Sequence, residues 1–161
     1  MKAAVLTVSD RVSRGEAADG SGDTLAELLE ADGYDVVRRV VPDEADEIAA
    51  AIAALACDAA LVLTTGGTGV APRDVTPEAT RTAIDREVPG IAEALRASSV
   101  AKTPHGLLSR GMAGTVGSAL VVNLAGSPGA CRDGYAVLKP ALPHALKLLA
   151  DQTTATDHVH T

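Results

Sequence analysis

Four short apolar runs set the architecture of this chain: AAVLTVS (3–9), DVVRRVV (35–41), AALVLTT (59–65) and SALVVNLA (118–125). Near-continuous apolar runs of this length suit strands buried on both faces, as in a parallel sheet covered by helices. The intervening segments carry helical period. Residues 22–32 place Leu25, Leu28 and Leu29 on one face, with Gly33 as a stop, and residues 44–56 align Ile48, Ile52 and Leu55. Two further helices are expected at about 77–87 and 90–101, then a loop, TPHGLLSRGMAGTVG, with room for a short hairpin. A helix starts near 129. Pro140 and Pro143 break it and restart it, and Leu142, Leu146 and Leu149 form the last apolar stripe.

Strands alternating with helices predict an α/β fold: a three-layer α/β/α domain with a mostly parallel sheet. A length of 161 residues suits one such domain, expected over 1–151. Residues 152–161 lack an apolar period and read as a frayed tail, and its His158 and His160 read as tail residues rather than a metal site.

Composition excludes several functions. The net charge of −7 opposes nucleic-acid binding, and two Tyr with no Phe or Trp leave no stacking platform for single strands. No apolar run spans a bilayer, and no charged-then-apolar leader opens the chain, so a cytoplasmic protein without membrane contact is expected. Cys57 and Cys131 stand far apart among small and apolar residues and are expected as buried free thiols.

In parallel α/β sheets, ligands bind where the strands end at their carboxyl side. The loops there are Ser9-Asp10, Pro42-Asp43, Gly66 to Asp74, and Asn123 to Pro128. Gly66, Gly67 and Gly69, with Thr68 between them, allow positive φ and leave N–H groups free for an anion. The loop lacks the Gly-Lys-Ser/Thr of a P-loop and the third glycine of a dinucleotide fingerprint. Its spacing is compatible with a phosphate cradle and equally with a plain tight turn. Thr76-Pro77-Glu78 supplies an N-cap, a first-turn proline and an acidic residue for the next helix. Asp74 is thereby left either solvated or as a hard oxygen ligand for Mg²⁺. Asp43 has capping grammar in Pro42-Asp43-Glu44-Ala45-Asp46, and a capping carboxylate still presents an oxygen to a ligand. Ser127-Pro128 reads as a cap with a helix N-terminus behind it, an anion site or a purely structural feature. Ser109-Arg110 offers an anion contact or a solvated loop arginine. No Ser/His/Asp set is evident, and His105 and His144 have no partner in the sequence pattern.

Taken together, LTVSDRVSRGEAADGSG, VVPDE, LTTGGTGVAPRDVTPEAT, TPHGLLSRGMAG and NLAGSPGA resemble the ordered motifs of the MoaB/Mog molybdenum cofactor biosynthesis family over about residues 3–150. That family includes molybdopterin adenylyltransferases and the related domain of plant and animal fusion proteins. The resemblance implies a three-layer α/β domain, a homotrimer with hexamers in MoaB-type members, and Mg²⁺-dependent transfer of AMP from ATP to molybdopterin with release of pyrophosphate. It also implies hand-off of the product to a molybdate-insertion protein. By position, Asp43 and Asp74 match the family's essential aspartates, expected to be catalytic and to hold the metal. Ser99 and Ser109 match serines that hold molybdopterin, and Gly66, Gly67, Thr68 and Gly69 match the loop that receives phosphates and nucleotide. Ser9, Asp10, Asn123, Gly126, Ser127 and Pro128 fall on strand-end loops expected to line the pocket, and Arg110, beside Ser109, is expected to bind substrate with them. Leu124-Ala125-Gly126 departs from the family's usual Leu-Pro-Gly, and Ala125 loosens φ there. The compact chain leans towards the MoaB-type branch, and the alternative is a MoaB-type paralogue that binds molybdopterin without adenylylating it.

Overall fold

The computed structural model describes residues 1–156, with side chains through Asp151. The elements follow the alternating order: β1 (Lys2–Val8), α1 (Asp10–Ser13), α2 (Gly20–Ala31), β2 (Asp35–Val41), α3 (Ala45–Ala56), β3 (Leu61–Thr65) and α4 (Thr76–Ala83). After these come β4 (Arg86–Glu87), α5 (Pro89–Lys102), a 3-10 turn (Pro104–Leu108), β5 (Ala113–Val116), β6 (Ala119–Leu124) and α6 (Pro128–Leu138). A second 3-10 turn (Lys139–Ala141) leads into α7 (Leu142–Thr156). The six strands form one sheet in the order β2-β1-β3-β6-β5-β4. Pairs β2-β1, β1-β3 and β3-β6 are parallel, and only β5 runs against the rest.

Side-chain alternation along the central strands generates the three layers. Ala3, Val5, Leu61, Leu63, Leu120 and Val122 face one side and pack on Leu25 and Leu29 of α2, Cys131 and Tyr135 of α6, and Leu142 and Leu146 of α7. Ala4, Leu6, Val62 and Val121 face the other side and meet Ile48 and Ile52 of α3 and Ala79 of α4. The predicted α/β/α architecture is therefore the one observed. β2, at the sheet edge, is mostly open, with Arg38 and Arg39 in its middle. The hairpin allowed for in the 103–117 segment is formed by β5 and β6, turning at Gly117 with φ +55°.

Four local expectations are corrected. The helix expected to reach 87 ends at Ala83. Ile84 is extended (φ −78°, ψ 149°), the Asp85 amide donates to the Thr115 carbonyl at 2.7 Å, and Arg86–Glu87 pairs with β5. Sheet pairing outweighs helical propensity there, and Val88, which precedes Pro89, is biased towards extended backbone. The tail expected from 152 is helical through Thr156, because nothing between His144 and Thr156 breaks α7. Residues 157–161, with His158 and His160, lie outside the described residues. Both cysteines are free, but Cys57 is exposed at the C-cap of α3, where the chain leaves the core surface, and only Cys131 is buried. The fourth concerns Thr76, whose place at the start of α4 is taken up with the site below. Among the described residues no helix is long and apolar enough to cross a membrane.

Ile52 is fully buried between α3 and the sheet. Ile52→Ala should lower unfolding free energy by about 2–5 kcal/mol, read by urea titration with an unchanged m-value.

Candidate functional site

The chain leaves β1 for one neighbouring strand, β2, and returns across β1 to place β3 on its other side. The carboxyl ends of β1 and β3 therefore flank the point where the winding direction switches, and the loops there diverge and leave a crevice. Gly66 stands at that divergence with φ +100°, and a Cβ on it would lie 2.3 Å from the Val8 carbonyl oxygen. The same glycine donates its amide to Leu124 O at 3.2 Å, and a Cβ on Gly126 would approach its Cα at 3.2 Å. Three strand-end loops thus meet backbone to backbone.

Gly67 follows, also left-handed (φ +68°), its would-be Cβ 2.3 Å from Thr76 Oγ1 and 3.1 Å from Asp43 Oδ1. Thr76 is not the N-cap that its sequence context predicts. Val75 takes the cap position, and the Thr76 hydroxyl donates to Gly66 O at 2.9 Å while its amide donates to Gly67 O at 3.1 Å. The start of α4 serves to hold the glycine loop. The loop closes on itself through Asp74, whose Oδ2 accepts the Ala71 amide at 3.0 Å and whose amide donates to Ala71 O at 2.9 Å. A Cβ on Gly69 would sit 2.9 Å from that same Oδ2. The amides of Gly67, Thr68 and Gly69 have no acceptor among the described residues. Three donors without a protein acceptor stand on one short loop, the kind of backbone an anion can use.

Asp43 also departs from capping grammar. Glu44 occupies the cap position of α3 without a side-chain bond, and Asp43 Oδ2 instead accepts the amide of Asp10 at 2.9 Å. Asp10 reciprocates, its Oδ1 accepting the Asp43 amide at 3.0 Å. This exchange joins the β1 and β2 loops. Half-burial pushes the Asp43 carboxyl up, against the lowering effect of the Asp10 amide, and the charges of Asp10 and Asp74 add to the rise. Asp43 Oδ1 and Asp74 Oδ1 have no partner among the described residues. Two unpaired carboxylate oxygens near three free amides, with Asp43 costly to charge, are the donor type that a hard divalent cation takes.

Two arginines bracket this assembly, and their structural roles could not be read from the sequence. Arg73 gives Nε to Asp10 Oδ2 at 2.6 Å, and its Nη2 donates to Asp10 Oδ1 at 3.1 Å and to Glu44 Oε1 at 2.9 Å. Its fork holds the Asp10 carboxyl down to about 2. Arg110 gives Nε to Gly69 O and Nη2 to Asp74 O, both at 2.7 Å, pairs with Glu78, and donates its amide to Thr68 O at 2.8 Å. Asp10 and Arg110 are therefore at the site, with their side-chain groups engaged by protein. Asn123 is likewise engaged. It is buried and donates to Thr64 Oγ1 and Thr80 Oγ1 at 2.9 and 3.0 Å, and accepts the Met112 amide at 3.1 Å.

Two clefts, each of about 350 Å³, open on either side of the 125–128 segment. Ser99, Ser109, Asn123, Ala125 and Ser127 line one, between α5 and α6. Ser9, Arg11, Asp19, Gly66, Gly126 and Pro128 line the other. Ser127 caps α6 as its sequence context predicts, accepting the Ala130 amide at 3.2 Å with Pro128 in the first turn, and Ser9 caps α1 through Val12. Asp19 went unnoticed in the sequence. It caps α2 through the Gly22 amide and binds Thr7 Oγ1 at 2.8 Å and Arg38 at 2.9 Å; the Asp-Gly-Ser-Gly preceding an apolar period is the signal that marks it.

Gly66→Ala should cost about 3 kcal/mol or more, because a backbone carbonyl cannot yield and the φ is left-handed. Gly69→Ala meets only the movable Asp74 side chain and should leave the melting temperature near that of the wild type. Thermal melts of the two variants check this. The Asp10 carboxyl is depressed on folding, so its contribution to stability is complete above its ordinary value near 3.8 and is lost as pH falls towards about 2. Asp10→Asn should accordingly flatten the acid limb of a stability–pH curve between about pH 4 and pH 2 only slightly, because water screens a pair whose arginine is 56% exposed, as measured by urea unfolding.

Comparison with known proteins identifies the family of the chain. Residues 4–144 match the family described as a probable molybdopterin binding domain. The chain is 41% identical over 157 residues to gephyrin of Dictyostelium discoideum, a match that covers 90% of this chain and 22% of gephyrin, so it spans about a fifth of that relative's length. It is 37% identical over 152 residues to a molybdopterin adenylyltransferase of Helicobacter pylori, covering 90% of this chain and 85% of the relative. The crystal structure of the molybdopterin biosynthesis enzyme MoaB from Thermus thermophilus superimposes with a TM-score of 0.85 at 45% identity, over 92% of this chain and 95% of that one. With its switch-point glycines, its paired aspartates and these matches over most of its length, the chain belongs to the MoaB/Mog family of molybdenum cofactor biosynthesis proteins.

Proposed function

We propose that this protein is a Mg²⁺-dependent molybdopterin adenylyltransferase, joining the terminal phosphate of molybdopterin to the AMP portion of ATP. The observation that carries the reading is the juxtaposition of three unpartnered loop amides, on Gly67, Thr68 and Gly69, with one unpartnered oxygen on each of Asp43 and Asp74. Anion donors and hard cation ligands on the same short loops suit chemistry at a polyphosphate.

In this reading a phosphate oxygen of molybdopterin attacks the α-phosphorus of ATP, the bond from that phosphorus to the bridging oxygen breaks, and pyrophosphate leaves. No protein nucleophile is required. Asp43 and Asp74 would hold Mg²⁺, whose charge offsets that of the phosphates and the departing pyrophosphate. The chain's own work is to position the reactants. The loop amides hold phosphate oxygens, the capped N-terminus of α6 adds a favourable dipole, and the two clefts keep pterin and nucleotide on opposite sides of the 125–128 segment. Ser99 and Ser109 offer hydroxyls to the polar pterin in the α5–α6 cleft, and the cleft containing Ser9 and Gly66 takes the nucleotide. With only two tyrosines in the chain, neither lining these clefts, recognition of both rings rests on backbone, aliphatic and hydroxyl contacts.

We read the protein as a homotrimer. Exposed Leu107 and Leu108 beside Val100 support a further apolar contact, and a hexamer is the MoaB-type variant of the same assembly. Its product, an activated phosphoric anhydride, calls for a molybdate-insertion activity that consumes it.

Purified protein incubated with molybdopterin, ATP and Mg²⁺ should yield adenylyl-molybdopterin and pyrophosphate in equal amounts. EDTA should abolish turnover, and Asp74→Asn should lower it at least about a hundredfold with the fold intact by circular dichroism. Tight molybdopterin binding without product would replace this reading with that of a non-catalytic binder, and full activity in Asp74→Asn would remove the metal-ligand role.

A further inference from the structure

The two aspartates with free oxygens stand on loops that follow different strands, and nothing covalent sets the distance between them. Asp74 follows β3 and is held from one side by Arg110, which binds its carbonyl oxygen at 2.7 Å. Asp43 follows β2, and its amide is fixed by Asp10 Oδ1, the same oxygen that receives Arg73 Nη2. Arg73 is the covalent neighbour of Asp74. One guanidinium on the glycine loop therefore reaches across to the β1 loop through Asp10 and to the β2 loop through Glu44, and so to both sides of Asp43.

This bridge contributes little to folding. The Arg73 side chain is 56% exposed, Glu44 equally so, and neither belongs to the two buried clusters that carry the sheet. Ion pairs this open to water add little stability even where their geometry is good. Their geometry here is specific: a two-pronged contact to one carboxylate and a third bond from the same nitrogen to another. A planar fork makes that pattern and a lysine ammonium does not. Arg73, like Asp43 and Asp74, lines neither cleft.

We infer that Arg73 is a positioning residue that sets the separation of the Asp43 and Asp74 carboxylates, and so the affinity of the site for the divalent cation that accompanies the nucleotide. The inference rests on the metal–nucleotide reading given above and adds to it the residue that makes two separate loops act as one ligand set. Groups that orient metal ligands from behind change metal affinity without touching the metal.

The test is a Mn²⁺ titration followed by electron paramagnetic resonance, in the presence of α,β-methylene-ATP, on the full chain and on Arg73→Met and Arg73→Lys. Arg73→Met should weaken nucleotide-dependent Mn²⁺ binding about tenfold or more, and Arg73→Lys should lose less. Melting temperatures should stay within a few degrees of the wild type. In turnover assays the half-saturating Mg²⁺ should rise in Arg73→Met, while the KM for ATP at saturating Mg²⁺ and the KM for molybdopterin stay unchanged. Identical Mn²⁺ binding by wild type and Arg73→Met overturns the inference and leaves the functional reading standing. A raised KM for ATP at saturating metal, with unchanged metal affinity, also overturns it by making Arg73 a direct substrate contact. Absence of nucleotide-dependent Mn²⁺ binding in the wild type overturns the functional reading and the inference together.

Discussion

The contact between Gly66 and the end of β1 is the constraint on which the site depends. Two parallel strands hydrogen-bonded along their length must let their following loops diverge, and the first residue after β3 turns away with its Cα against the Val8 carbonyl. No residue with a Cβ fits, and the backbone takes a φ that L side chains avoid. The same residue receives the 125–126 segment on its other flank, through a hydrogen bond from its amide to Leu124 O and close packing from Gly126. The ends of β1, β3 and β6 are thereby brought into register at one point. The loops they carry cannot drift apart without breaking the pairing of the sheet.

Charge is then distributed around that point in a way that a chain of net −7 would not provide by composition alone. Carboxylates crowd the crevice, and the two arginines that bracket the glycine loop are paired with some of them. Arg73 takes Asp10 and Glu44, and Arg110 takes Glu78. These pairs leave Asp43 and Asp74 as the carboxylates without a cationic partner, and burial together with the charges of Asp10 and Asp74 makes Asp43 costly to charge. An arginine aimed at either would neutralise it. The guanidinium groups instead bind the backbone and the carboxylates further out, so the two aspartates keep their charge without an arginine partner.

Much of this was legible in the sequence, and the division between legible and illegible follows the range of the interactions. The buried strands and their helices declare themselves through period, because each is a one-dimensional record of which face meets the core. Ser127-Pro128 is read correctly as a cap because capping is settled within four residues. The positive φ of Gly66 and Gly67 is likewise a local matter. Asp43 and Thr76 both have correct capping grammar and neither caps its helix, since each finds a better partner on another loop: Asp10 lies 33 residues from Asp43, and Gly66 lies 10 from Thr76. The end of α4 at Ala83 depends on pairing with β5, a strand far along the chain. Arg110 reads in the sequence as an anion contact or a solvated loop arginine, and only the folded chain shows its donors facing Gly69 and Asp74.

The glycine loop itself is the instructive case. Its composition invites the explanation that the glycines are there to admit phosphate. The geometry assigns each an internal reason first. Gly66 is required by Val8 and Gly67 by Thr76 and Asp43 Oδ1, while Gly69 leaves room for an Asp74 carboxylate that can shift. A methyl group at either of the last two would press on an aspartate oxygen at 3.1 or 2.9 Å, so these glycines make room for the carboxylates as well as for any ligand. A loop packed this tightly behind has its carbonyls consumed by Thr76 and Arg110. Its amides are what remains. The free amides and the placement of the aspartates are therefore two faces of one packing solution: Thr76 and Arg110 take up the loop carbonyls, and the N–H groups are left without an acceptor among the described residues.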